Sequence, residues 1–166
     1  MRSVLLASIL VTFGTVCDAA QNGKPSWYSD SSEQRATLFY GIYDTDVVGF
    51  HVSCNRDSGS IELIPSLKEV GLKAGDVAKV GLSAKDHRVE FQGNVFQNEE
   101  TGENNVLIKA DSVRPLEGLF LKAGQLTITL PNDRHTLPIG PSAIASFASF
   151  KQHCSRSDPA AATRQK

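Results

Sequence analysis

The sequence predicts an all-β protein: an antiparallel β-sandwich or flattened barrel of about eight strands with one C-terminal helix. Three observations carry this expectation. From Arg35 onward, short apolar runs alternate with period two and are separated by Gly, Asn and Asp turns. Only the stretch after Gly140 shows the three-and-four spacing of a helix. Two cysteines, Cys54 and Cys154, stand a domain apart, where one bridge would tie the helix to the strands.

The elements follow in order. "RATLFYG" (35–41) is expected as the first strand, and Tyr43-Asp44-Thr45-Asp46 as the turn after it. In "VVGFHVSC" (47–54), Val48, Phe50, Val52 and Cys54 alternate onto one face, with Gly49, His51 and Ser53 on the other. Asn55 to Gly59 supplies turn chemistry, and "SIELIP" returns. "VAKVGLS" (77–83), "RVEFQGNVF" (88–96), "NVLIKAD" (105–111), "QLTITL" (125–130) and "HTLPI" (135–139) complete the set. Pro138 cannot donate to a ladder, so its strand is expected at an edge or its residue at a strand end. In the helix, Ala143, Phe147, Phe150 and Cys154 share one face, with Ser142 as the expected N-cap.

The ends of the chain predict its destination. Met1-Arg2-Ser3 is followed by an apolar run from Val4 to Val16 and then by Cys17-Asp18-Ala19-Ala20. Those three parts match a secretory signal peptide over residues 1–19. The run is shorter than the about 20 residues a membrane-spanning helix needs. A lipoprotein reading of Cys17 is disfavoured, because Val16 stands where such sites carry a small residue. Removing residues 1–19 takes one Arg and one Asp, so the net charge stays at −1. That balance, with no Lys/Arg block, argues against nucleic acid as the partner and gives no reason to expect an anionic membrane surface. Residues 20–26 and 155–166 are polar and aperiodic, and read as a flexible lead and a disordered tail around one domain, 27–154. The expected location is periplasmic or secreted.

Without Cys17, the cysteine count leaves Cys54 and Cys154, a pair that an oxidising compartment joins. Closing a loop of about 100 residues stabilises by up to about 4.7 kcal/mol in the chain-entropy account. No C-x-x-C spacing suggests redox chemistry, and the four histidines show no metal-ligand spacing, so neither cofactor nor metal is expected. No G-x-S-x-G elbow occurs. His51 lacks a partner in sequence and reads as a half-exposed strand residue. "NEETGENN" (98–105) is acidic but lacks the alternation of a calcium loop, and reads as a solvated hairpin. "GLKAG" (71–75) and "LKAG" (121–124) each precede a strand and read as lead-in turns, since a phosphate loop would precede a helix.

One feature points to binding. The only tryptophan and all three tyrosines, Trp27, Tyr28, Tyr40 and Tyr43, fall in one short segment beside Asp44 and Asp46. Tyr and Trp supply large contact area at low entropic cost, so these six residues form the candidate partner surface. The competing explanation places them in the core, since of Phe39 and Tyr40 one must face inward.

The order W-x-x-D (27–30), L-F-Y-G (38–41), D-x-D-x-x-x-F-x-x-x-C (44–54) and L-P-x-G (137–140) before an apolar helix ending in Cys resembles small exported proteins of alphaproteobacteria. "LPIGPSAIASF" also looks like the invasion-associated locus B family. That second resemblance implies a secreted β-sandwich linked to host-cell entry, and it brings no catalytic residues. Trp27 departs from it in having no cysteine close behind. The expected function is an exported binding or inhibitory module for a protein or envelope component. The alternatives are a hydrolase assembled from distant strands and a passive envelope protein.

Overall fold

The computed structural model describes residues 23–65 and 71–154. The expected signal peptide and the tail from 155 lie outside the described residues. Among the described residues nine strands form one antiparallel sheet: β1 (Ser26–Ser31), β2 (Arg35–Gly41), β3 (Val48–Asn55), β4 (Ile61–Ile64), β5 (Val77–Ala84), β6 (His87–Gln97), β7 (Asn104–Ala110), β8 (Gly124–Thr129) and β9 (Arg134–Ile139). Their order across the sheet is β1-β2-β3-β4-β7-β6-β5-β8-β9. A short helix α1 (Arg114–Glu117) runs into a 3-10 turn, Gly118–Phe120, and helix α2 (Pro141–Cys154) ends the described chain.

The sheet curls into a half-barrel, and period-two alternation decides what fills it. Leu38, Phe50, Val52, Leu63, Val80, Leu82, Ile108, Leu126 and Ile128 are almost wholly buried on the inner face. The α2 stripe of Ala143, Phe147, Phe150 and Cys154 is buried as its spacing predicts, and the helix packs on β1, β2 and β9. The Cys54–Cys154 disulfide, 100 residues apart in sequence, joins the end of α2 to β3. The edge strands β1 and β9 are tied by a side chain: Trp27 Nε1 donates to the Pro138 carbonyl at 2.6 Å. β9 is an edge strand, where a residue without an N–H is tolerated.

Four expectations change. The first is β1: the sequence predicts strands only from Arg35 and puts Ser26 at the end of the flexible lead, because "SWYSDS" holds one apolar anchor, Trp27, and otherwise polar residues. Trp27 is 4% exposed, and its ring meets Tyr40 at 5.3 Å, Phe50 at 5.6 Å and Phe120 at 5.2 Å. That burial, with pairing along β2, makes an edge strand of a sequence with little intrinsic preference for one. The second change is the helical segment 114–120. It lies in the connection between β7 and β8, strands separated in the sheet by β6 and β5, and it buries Leu116, Leu119 and Phe120. Phe120 stacks on Phe147 at 4.5 Å, so tertiary packing stabilises a piece too short to persist alone.

The third concerns Ser142. The helix starts two residues earlier than a Ser142 cap implies, at Pro141, and Ile144 N–H donates to the Gly140 carbonyl. Pro141 therefore takes the first helical position, where its missing N–H costs nothing.

The fourth is Val48. Tyr40 pairs with Phe50, but Gly41 pairs with Val48, so Gly49 is an extra residue in β3. This bulge turns Val48 from the inner to the outer face. Any Cβ at Gly41 would strike the Val47 carbonyl, so the close approach there requires glycine.

Candidate functional site

The outer face of the sheet carries a cleft of about 730 Å³. Its floor crosses five neighbouring strands. Phe39, His51 and Ile64 are direct ladder partners on β2, β3 and β4, so their side chains form one continuous row. Val48, turned outward by the bulge, extends the row, and the paired Phe96 and Asn105 continue it on β6 and β7. Two loops make the walls: Tyr43 to Asp46 between β2 and β3, and Asn98 to Glu103 between β6 and β7.

Both loops are held in shape by their own hydrogen bonds. Thr45 Oγ1 donates to the Ile42 carbonyl at 2.8 Å and accepts from Val47 N–H at 3.2 Å. Ile42 N–H donates to the Val47 carbonyl at 2.9 Å. Asp44 adopts φ 60°, a conformation Asp tolerates better than most residues. In the second loop, Asn98 Oδ1 accepts from the Glu100 and Thr101 amides at 2.8 and 3.2 Å. Gln97 Nε2 donates to the Gly102 carbonyl at 3.0 Å. The short polar residues typical of turns thus fix the cleft walls before any ligand arrives.

Electrostatically the cleft is one-sided. Asp44, Asp46 and Glu103 lie along it, and no Lys or Arg is among the described residues that line it. His51 in the floor is half-buried. Burial holds its pKa below the usual histidine value; Arg35 lowers it further, while Glu62 opposes them. The imidazole is therefore uncharged at neutral pH, and the cleft keeps its negative character.

The six residues singled out in sequence divide between the two faces. Tyr43, Asp44 and Asp46 line the cleft. Tyr28 stands beside them, its ring 5.1 Å from Tyr43 and 5.3 Å from Phe39. The Tyr28 hydroxyl is buried with no hydrogen-bond partner among the described residues. Trp27 and Tyr40 lie on the inner face with the core. Sequence reasoning did not place Phe39, Ile64 or Phe96 in a site, and it set His51 and the 98–105 hairpin aside. One signal marks the first three. Each is the second member of an apolar doublet, Leu38-Phe39, Leu63-Ile64 and Val95-Phe96, in which only one residue can face inward.

The other histidines are dispersed. His87 Nε2 lies 3.4 Å from the Pro115 carbonyl, His135 bonds Asp133 at 2.6 Å, and His153 Nδ1 bonds the Ser149 carbonyl at 2.8 Å. No group of three or more His, Cys, Asp or Glu among the described residues is arranged to hold a metal ion. No described helix is long and apolar enough to cross a membrane. Hydrogen-bonded walls, a largely aromatic and aliphatic floor and an acidic rim suit recognition. The sequence matches no protein-family model, and neither a curated protein nor a solved structure matches it.

Proposed function

We propose that the chain is exported, with residues 1–19 as its signal peptide, and that the domain is a binding module that recognises a protein or envelope component through the outer-face cleft. One observation carries the reading. Apolar side chains that could have faced solvent singly are gathered into one concave row, flanked by two hydrogen-bonded loops. A sheet with no use for its outer face would place polar residues there, as alternation elsewhere in this chain does. The Cys54–Cys154 bridge fits an oxidising compartment such as the periplasm or the cell exterior.

The test uses the mature, disulfide-bonded protein as bait against periplasmic, cell-wall and host-cell extracts, beside a generic hydrolase screen. Specific capture by the parent that is lost in Tyr43→Ser supports the reading. Turnover abolished by His51→Gln, or by one aspartate substitution, would overturn it in favour of a hydrolase. Capture unchanged in Tyr43→Ser would move the site away from the cleft.

A further inference from the structure

We propose that the outer-face cleft takes a cationic, partly apolar segment of a partner polypeptide, with lysine or arginine side chains meeting the rim carboxylates. The inference rests on the binding reading above and names its ligand class.

Three observations converge. First, the cleft carries Asp44 and Asp46 on one wall without a lining Lys or Arg among the described residues, so its field there favours a cation. Second, the floor beneath those acids is largely aromatic and aliphatic, interrupted by His51 and Asn105, with Phe39 and Phe96 at its two ends. Lys and Arg have apolar stems and charged heads, and their heads are also attracted to ring faces. A floor of this kind under an acidic rim matches both parts of such a side chain. Third, the apolar surface continues outside the cleft. Val47, 56% exposed, lies beyond the lining in the same loop as the wall residue Tyr43, itself 66% exposed; they are two of the four exposed large hydrophobic residues among those described. A small molecule enclosed in the cleft would leave Val47 unused, whereas a polypeptide lying across it covers Val47 and the exposed side of Tyr43.

The dimensions agree. From β2 to β6 the floor spans four inter-strand steps, about 19 Å at the usual strand spacing. That is the reach of about six extended residues. The inner face offers no rival, since it is filled by the core.

The experiment is fluorescence anisotropy on the mature, disulfide-bonded chain with three labelled peptides of one apolar pattern. One alternates Lys with Leu and Phe, the second replaces Lys by Glu, and the third replaces Lys by Ser. The Lys peptide should bind. Its affinity should fall about three- to fivefold in Asp44→Asn and again in Asp46→Asn, and further with added salt. Asn tolerates the φ of 60° at position 44, so that variant keeps its fold, which circular dichroism checks. Equal binding of the Glu or Ser peptide overturns the charge inference, as does unchanged affinity in both Asn variants. Displacement of the Lys peptide by equimolar spermidine would make this a small-cation site and overturn the polypeptide. Silence of all three peptides, with extract capture still lost in Tyr43→Ser, removes this inference and leaves the binding function standing. Capture untouched by Tyr43→Ser removes that function's site.

Discussion

Trp27 and Tyr28 are adjacent in one strand and serve opposite sides of the sheet. Trp27 points inward, ringed by Tyr40, Phe50 and Phe120, and its indole N–H closes the gap between the two edge strands. Tyr28 points outward onto Phe39 and Tyr43 at the border of the cleft. The same contrast runs along β2, where Tyr40 packs against the core and Phe39 lines the cleft. An aromatic cluster in sequence is therefore two clusters in space, divided by the pleat. The inner one closes the fold, and the outer one is available to a partner.

The sharpest way to break this comparison is to truncate the inner member. Trp27→Ala should cost about 3–5 kcal/mol of stability, read as a lower urea midpoint, because it empties a packed site and removes the bond to Pro138. A loss below about 1 kcal/mol would mean that the closure of the half-barrel does not depend on this ring. Next in size is the disulfide. The Cys54→Ser, Cys154→Ser double variant should lose about 2–4 kcal/mol, with α2 loosening from the sheet first. Thiol titration of the unreduced, denatured mature protein should find no free thiol.

A smaller effect belongs to His51. Its folded-state pKa lies below the unfolded value near 6.5, so the folded protein binds fewer protons in the interval between the two. Its contribution to stability is intact above about pH 6.5 and is lost as pH falls below that toward the folded pKa. Chemical denaturation at a series of pH values should show that decline, and His51→Gln should flatten it. A slope that survives the substitution would assign the decline to other groups.

The smallest effect sharpens the comparison from the outer side. Tyr43→Ser should leave stability within about 0.5 kcal/mol, as for other exposed positions, while it weakens partner binding. Equal destabilisation by Tyr43→Ser and Trp27→Ala would erase the distinction between the two clusters.

Much of the fold was legible because alternation is a local property. The eight strands from 35 to 139 and the buried stripe of α2 can be read from spacing alone, since one wet and one dry face impose the period. β1 and the 114–120 segment were not legible, because neither "SWYSDS" nor "RPLEGLF" has a period long enough to read. Each is stabilised by rings contributed from elsewhere: Trp27 by Tyr40 and Phe50, Phe120 by Phe147. The site was half legible. Composition marked Tyr28, Tyr43, Asp44 and Asp46, but the outward members of the apolar doublets stood in separate strands with nothing local to unite them.

What the sequence by itself determined is the alternation, the turn positions, the helix stripe and the cysteine pair, all of which follow from residue type and spacing within one segment. What only the tertiary structure decided is which strands become neighbours and which way each residue faces after an irregularity. The β4–β7 pairing brings Ile64 toward Asn105 and Phe96, and the extra residue at Gly49 turns Val48 outward. Both depend on register between segments far apart in the chain. A shift of one residue exchanges the faces, and only the packed whole selects among the registers.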